Sequence, residues 1–201
     1  MIQLDNAVEH YKNIILNELK DEKITCWIAG GCLRDYFMAV PIKTDIDIFF
    51  PNIFNQNKCA EYFKAKGGEV IWESDNGMKI KYNGRKYDLV KKYFADPQAT
   101  IDVFDFTVSM FACDSEKIYH GESSFIDLAK RQLMINKITY PASTMSRAFR
   151  YYQKGFRMCL GEMAKMVEAI QDMPKVIKQE QPDNTDEPPS GDRDSIFIGL
   201  D

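Results

Sequence analysis

Asp45 and Asp47 stand two residues apart in "TDIDIFF", inside an otherwise apolar run. In a β-strand, residues two apart project from one face and the residue between them from the other. The pattern sets two carboxylates side by side and leaves Ile46, Ile48 and Phe49 mostly to the core. Like charges so placed repel, and a hard divalent cation such as Mg2+, which takes oxygen ligands, relieves the repulsion. The bland alternative is a solvated edge strand. Just upstream, "GGCLRD" puts Gly30 and Gly31 ahead of a short helix carrying Arg34 and Asp35. Glycines there let backbone approach a phosphate without a Cβ clash and open the helix's first N–H groups to an anion. Standing alone, such a pair is equally an ordinary strand-to-helix turn. Far downstream, Arg147, Arg150, Lys154 and Arg157 fall on one side of a helical pattern. Ala148, Phe149, Tyr152, Phe156, Cys159 and Met163 populate the other side. Such a basic stripe either binds a polyanion or is a wet face.

The elements that must position these residues alternate in type. Ala7, Val8, Tyr11, Ile14, Ile15 and Leu19 recur at helical spacing and predict an amphipathic N-terminal helix. "ITCWIAGG" reads as a strand ending in a turn, "CLRDYFMA" as a short helix stopped by Pro41, and "DIDIFF" as a second strand. A helix over about 54–66 follows, then strands in "GEVIWES", "GMKIKYN" and "RKYDLVKKY". The last two are joined through Asn83-Gly84, a dipeptide that favours a two-residue hairpin. A strand "FTVSMFACD", a turn-rich piece and one long helix over about 143–170 complete the body.

A chain of 201 residues, 45% hydrophobic, buries one core, or one core with a small helical annex. No apolar run approaches a membrane span, and the charged opening "MIQLDNAVEHYKNIILNELK" does not fit a signal peptide, so the expectation is a cytoplasmic chain without a membrane partner. Five cysteines without a C-x-x-C pair, beside two histidines, signal neither zinc nor a disulfide framework and predict buried thiols. The net charge of −4 is unevenly spread: the segment from Glu180 to Asp201 holds seven acids against the single base Arg193, which leaves the body slightly basic. That segment has the Pro-, Ser- and acid-rich composition of a disordered tail. Its end, "SIFIGLD", carries Ile196, Phe197, Ile198 and Leu200, a short apolar motif suited to docking a protein partner or folding back on the body.

The stretch "GGCLRD" followed by "VPIKTDIDI" resembles the G-G-x-V-R-D…D-x-D signature of class II nucleotidyltransferases, the polymerase β branch that holds CCA-adding enzymes and bacterial poly(A) polymerases. "FDFTVSMFA" resembles that family's R-R-D-F-T-I-N-A block, and "SRAFRYYQKGF" resembles its L-R-A-x-R-F-x-x-x-x-G-F helix. The three matches fall in the family's order between Ile28 and about Arg157.

The resemblance implies an α+β nucleotidyltransferase fold, a mixed sheet flanked by helices with one long neck-like helix. It divides the chain into a head over 1–140, a neck-like segment over 141–178 and the tail over 179–201. It implies template-independent transfer of a nucleotide from a nucleoside triphosphate to an acceptor hydroxyl, an RNA 3′ end (tRNA-like or other) being the first expected acceptor. Such transfer uses two Mg2+ ions, which hold the attacking and leaving oxygens. Asp45 and Asp47 supply two carboxylates, and Asp88 in "KYDLV" takes the place of the family's third, with Asp102 as the alternative. Gly30, Gly31, Arg34, Asp105, Arg147 and Arg150 fall on the nucleotide-binding positions, although Arg34 and Asp35 are equally readable as a structural ion pair.

The departures narrow the expectation. Val103 and Phe104 stand where the family has two arginines. Nothing after the long helix resembles the E-D-x-x-R segment that selects C and A, and no room is left for helical domains that grip tRNA. CCA synthesis on tRNA is therefore not the expectation. Two alternatives remain: a minimal transferase that modifies a protein or small molecule, and a non-catalytic nucleotide- or nucleic-acid-binding module.

Overall fold

Residues 4–42 and 44–173 are described by the structure, a computed structural model. The acidic tail and its apolar end lie outside the described residues. The N-terminal spacing becomes α1 (Leu4–Tyr11), a π-helical turn (Lys12–Leu16) and α2 (Asn17–Asp21), which together bury Val8, Tyr11, Ile15 and Leu19. Strand β1 (Trp27–Ala29) ends at Gly30, whose φ of +90° a side chain would strain, and α3 (Gly31–Phe37) begins at once. Then come β2 (Ile46–Phe50) and α4 (Ile53–Ala65), the latter capped by the Asn52 side chain, which accepts from the Asn55 N–H.

Strands β3 (Glu69–Glu73), β4 (Gly77–Tyr82) and β5 (Arg85–Tyr93) follow. Asn83 and Gly84, both at positive φ, make the tight turn between β4 and β5. The remainder is α5 (Pro97–Ile101), β6 (Phe111–Cys113), β7 (Ile118–His120), α6 (Ser124–Lys130), α7 (Pro141–Gln153) and α8 (Leu160–Gln171). In "FTVSMFACD" only the second half is strand, because Thr107–Ser109 winds into a 3-10 turn. The turn-rich piece contains β7 and α6.

These strands form one mixed sheet in the order β3-β4-β5-β2-β1-β6-β7, with β2 and β5 parallel and the other neighbours antiparallel. The α+β, mixed-sheet expectation holds. Alternation sorts the two faces. Ile28, Ile46, Ile48, Tyr87 and Leu89 pack with residues of α1, α3 and α4 in the larger core. Trp27, Ala29, Phe49 and Val90 face the other way, into a smaller cluster with Ile101 and Phe104. Asp47 and Asp88 fall on this second face by the same alternation.

The single long helix over 143–170 is corrected to two. Helix α7 ends at Gln153, Gly155 takes φ +90°, and the backbone then pairs as a strand: Arg157 N–H donates to the Arg131 carbonyl and Leu133 N–H to the Arg157 carbonyl, each at 2.8 Å. Periodicity continues through the break because Phe156 and Met163 keep helical spacing, while the pairing that interrupts the helix is long-range. The buried face of α7 also differs from the expected one. Thr144, Arg147 and Tyr151 point inward, whereas Phe149 and Tyr152 are 65% and 58% exposed.

Four of the five thiols are buried or half-buried and Cys159 is exposed. Burial raises the pKa of Cys32, Cys59 and Cys113, that of Cys113 to about 12, so these thiols stay protonated at neutral pH and react slowly. Titrating the native protein with a thiol-disulfide reagent should modify Cys159 first, with Cys32, Cys59 and Cys113 reacting only on unfolding. Mass mapping of the first-modified residue checks it.

Candidate active site

Register builds the site's floor. Across four neighbouring strands one transverse row runs Ala29, Asp47, Asp88, Lys79: Ala29 pairs with Asp47, Asp47 with Asp88, and Asp88 with Lys79. Asp45, one residue ahead of β2, reaches the same place, its Oδ2 lying 2.6 Å from Lys79 Nζ. Gly77 on β4 keeps the row open, since a Cβ there would stand 2.8 Å from Asp88 Oδ1. Asp45, Asp47, Lys79 and Asp88 all line one open cavity of about 1000 Å³. Asp102, the alternative third carboxylate, is instead exposed at the end of α5, where it accepts from Gln98 Nε2 at 2.8 Å.

The electrostatics follow from this crowding. Burial raises the Asp88 pKa and the Asp45 charge adds to it, against the opposing pull of Lys79. Burial pulls the Lys79 pKa down, but the hydrogen bond and charge of Asp45, with the charges of Asp88 and Asp47, leave it raised. The donors suit a hard divalent ion: they are carboxylates on one cavity floor, and the place already draws a cation, the Lys79 ammonium. Among the described residues no three His, Cys, Asp or Glu side chains are drawn together into a ready-made cluster.

The facing wall is cationic. Arg34, 1% exposed, donates from Nε to Asp35 Oδ1 at 2.8 Å and from Nη1 to the Tyr151 hydroxyl at 2.9 Å. Its Nη2 lies 2.8 Å from the same Asp35 oxygen without making a hydrogen bond there. A Cβ on Gly31 would come within 3.2 Å of that Nη2, so Gly31 makes room for the guanidinium. Arg34 and Asp35 thus form the buried ion pair that was one of their two readings, and Arg34 lines the cavity as well.

Arg147, 4% exposed, donates from Nε to Asp105 Oδ2 at 2.7 Å and makes a further short contact to that oxygen through Nη2. Thr144 Oγ1 donates to the same atom at 2.7 Å. Arg147 Nη1 makes no hydrogen bond among the described residues. Among the described residues, two buried arginines that line a single cavity therefore each keep one nitrogen without a hydrogen bond, an arrangement that suits oxyanions. Asp105 holds Arg147 in place. Gly31, Asp105, Arg147 and Arg150 line the cavity, whereas the Gly30 N–H is taken by the Phe111 carbonyl at 2.9 Å. Val103 lines the wall with an isopropyl group, and Phe104 is core.

The basic stripe divides in two. Arg150 and Lys154 are exposed and line the cavity, while Arg157, beyond the helix end, donates to the Tyr152 and Phe156 carbonyls and stacks 4.2 Å from the Tyr152 ring. Arg150→Ala and Lys154→Ala should each raise the Kd for a non-hydrolysable triphosphate by roughly three- to tenfold, solvent screening limiting the effect of exposed charges. Arg157→Ala should leave it within about twofold. Calorimetric titration of the three variants distinguishes them.

A model of the Gabija anti-defense 2 family matches residues 3–131, more than half of the chain. The chain belongs to the Gabija anti-defense 2 family. No curated protein matches it in sequence. Among solved structures it is similar to the Thermotoga maritima CCA-adding enzyme complexed with tRNA, at 15% identity and a TM-score of 0.65 over 85% of this chain and 46% of that one. The Bacillus stearothermophilus CCA-adding enzyme in complex with CTP aligns with a TM-score of 0.60 at 18% identity, over 79% and 42%. A tRNA nucleotidyltransferase complexed with a primer tRNA and an incoming ATP analog gives 0.60 at 16%, over 77% and 49%. This member of the anti-defense family therefore has the class II nucleotidyltransferase fold, and it spans less than half the length of those structures.

No motif marks Lys79, Thr144, Tyr151 or Gly77. For Lys79 the signal was present: a two-residue turn at Asn83-Gly84 places Lys79 opposite Asp88 on the neighbouring strand.

Proposed function

We propose that this chain transfers a nucleotide from a nucleoside triphosphate to an acceptor hydroxyl, with two Mg2+ ions held by Asp45, Asp47 and Asp88. The observation that carries the reading is one cavity lined by three carboxylates and by two buried arginines, each with a nitrogen that makes no hydrogen bond among the described residues. When bound, the metal ions supply Lewis-acid stabilisation of the attacking and leaving oxygens. Arg34 Nη2 and Arg147 Nη1 bind phosphate oxygens and fix the triphosphate's orientation. Asp105 and Tyr151 keep those guanidinium groups aimed. Asp88, whose pKa burial raises, is the carboxylate suited to accept the proton of the attacking hydroxyl. Val103 leaves an apolar patch where resembling enzymes carry an arginine, so recognition of the sugar rests on shape more than charge.

For the acceptor, an RNA 3′ end is supported by the tRNA present in structures of this fold. The family description favours a second acceptor, a hydroxyl on a component of the Gabija defence system. Each of the four α-labelled triphosphates, incubated with the protein and either total RNA or purified Gabija components, separates the two. Label in RNA supports the first acceptor and label in a Gabija component the second. Label in neither, with every triphosphate, contradicts transfer.

A further inference from the structure

Lys79 lines the cavity with a charge that the proposed chemistry does not use, in a place that the chemistry needs. Its ammonium lies 2.6 Å from Asp45 Oδ2, and it stands opposite Asp88 in the register that also pairs Asp88 with Asp47. The position is imposed by the hairpin: with a two-residue turn at Asn83 and Gly84, no slip moves Lys79 out of the carboxylate row without breaking every pair of β4 and β5. Lys91, another lysine of the wall, is engaged by Glu73 at 2.9 Å and by the Ser74 carbonyl at 2.7 Å. An ammonium is a compact cation on a flexible stem, so it neutralises a carboxylate pair and can also withdraw. A divalent ion seated on Asp45 meets a like charge at close range unless that ammonium leaves.

From this geometry we infer that Lys79 is a built-in counter-cation of the carboxylate site, which a divalent metal must displace from Asp45 in order to bind. The inference rests on the nucleotidyl-transfer reading and adds a regulation to it: empty, the site is held together by a residue of the chain, and metal affinity is set by competition with that residue. Removing the charge while keeping the stem should tighten metal binding, whereas keeping the charge should not.

Mn2+ binding to the full chain, read from the loss of the free-ion paramagnetic resonance signal, tests this without recourse to activity. K79M should bind Mn2+ at least about tenfold more tightly than the natural chain, a lower bound for deleting a unit charge a few ångströms from a divalent ion. K79R should stay within about threefold of the natural chain, and D47N should abolish the tight binding in the K79M background. K79Q replaces K79M should the latter fail to fold. Equal or weaker binding by K79M, with D47N still abolishing binding, overturns the role of Lys79 and leaves the transfer reading standing. Binding indifferent to D47N in both backgrounds overturns that reading, and the inference with it.

Discussion

Asp47→Ala should abolish nucleotide transfer and leave the fold intact. In the proposed reaction the lost carboxylate acts through a metal whose charge stabilisation is worth several kcal/mol, so transfer should fall by about three orders of magnitude or more. Stability should not fall with it. Asp47 is half-exposed on the open face of β2, while its neighbours Ile46 and Ile48 carry the packing against the larger core. It also stands in register with Asp88, and like charges so placed destabilise a sheet. Without added metal the melting temperature should hold or rise slightly. A loss of several degrees would make Asp47 a structural residue, and unchanged transfer would remove it from the chemistry.

Asp105→Ala should have the opposite profile, a large loss of stability that carries nucleotide binding with it. The Asp105 carboxylate receives Thr144, Arg147 Nε and Arg147 Nη2 on one oxygen, with both members of the ion pair buried. Deleting it strands a buried guanidinium, and breaking a buried pair from one side typically costs about 3–5 kcal/mol. For a domain of this size that corresponds to a melting-temperature drop of roughly 10 °C. Replacing both partners together, in Asp105→Leu with Arg147→Met, should cost less than the sum of the two single changes, because no charge is left unpaired. Chemical denaturation of the two single variants and the double variant completes the cycle. Additive costs would show that Asp105 does not act through Arg147.

These two aspartates also mark how far the sequence could be read. Asp45 and Asp47 declare themselves by alternation, and the Gly-Gly turn, the β4–β5 hairpin and the apolar strands are all local signals that the fold realises where the pattern places them. Asp105 sits in a motif but gives no local sign of its partner, since Arg147 lies 42 residues away and the pair forms only when α7 closes over the cavity. The same closure defeats the apolar periodicity of α7. Hydrogen bonds of Arg147 to Asp105 and of Arg34 to Tyr151 turn a polar face inward, and Phe149 and Tyr152 are left outside. The helix break had a visible cue in Gly155, but its cause is the backbone pairing of Arg157 with Arg131 and Leu133, a contact that spacing cannot reveal. Turn type fixes register and so places Lys79 opposite Asp88, but a lysine on a strand ordinarily signals only solvent.

In the proposed reaction the nucleotidyl group is what moves, and the position of the transferred phosphorus is the decisive observable. The purified chain, Mg2+ and an acceptor are incubated with a triphosphate labelled at the α-phosphorus in one arm and at the γ-phosphorus in the other. Attack at the α-phosphorus predicts α-label in the acceptor and γ-label released as pyrophosphate, both lost in Asp47→Ala. The γ-label in the acceptor, or triphosphate hydrolysis that persists in Asp47→Ala with nothing transferred, would contradict it.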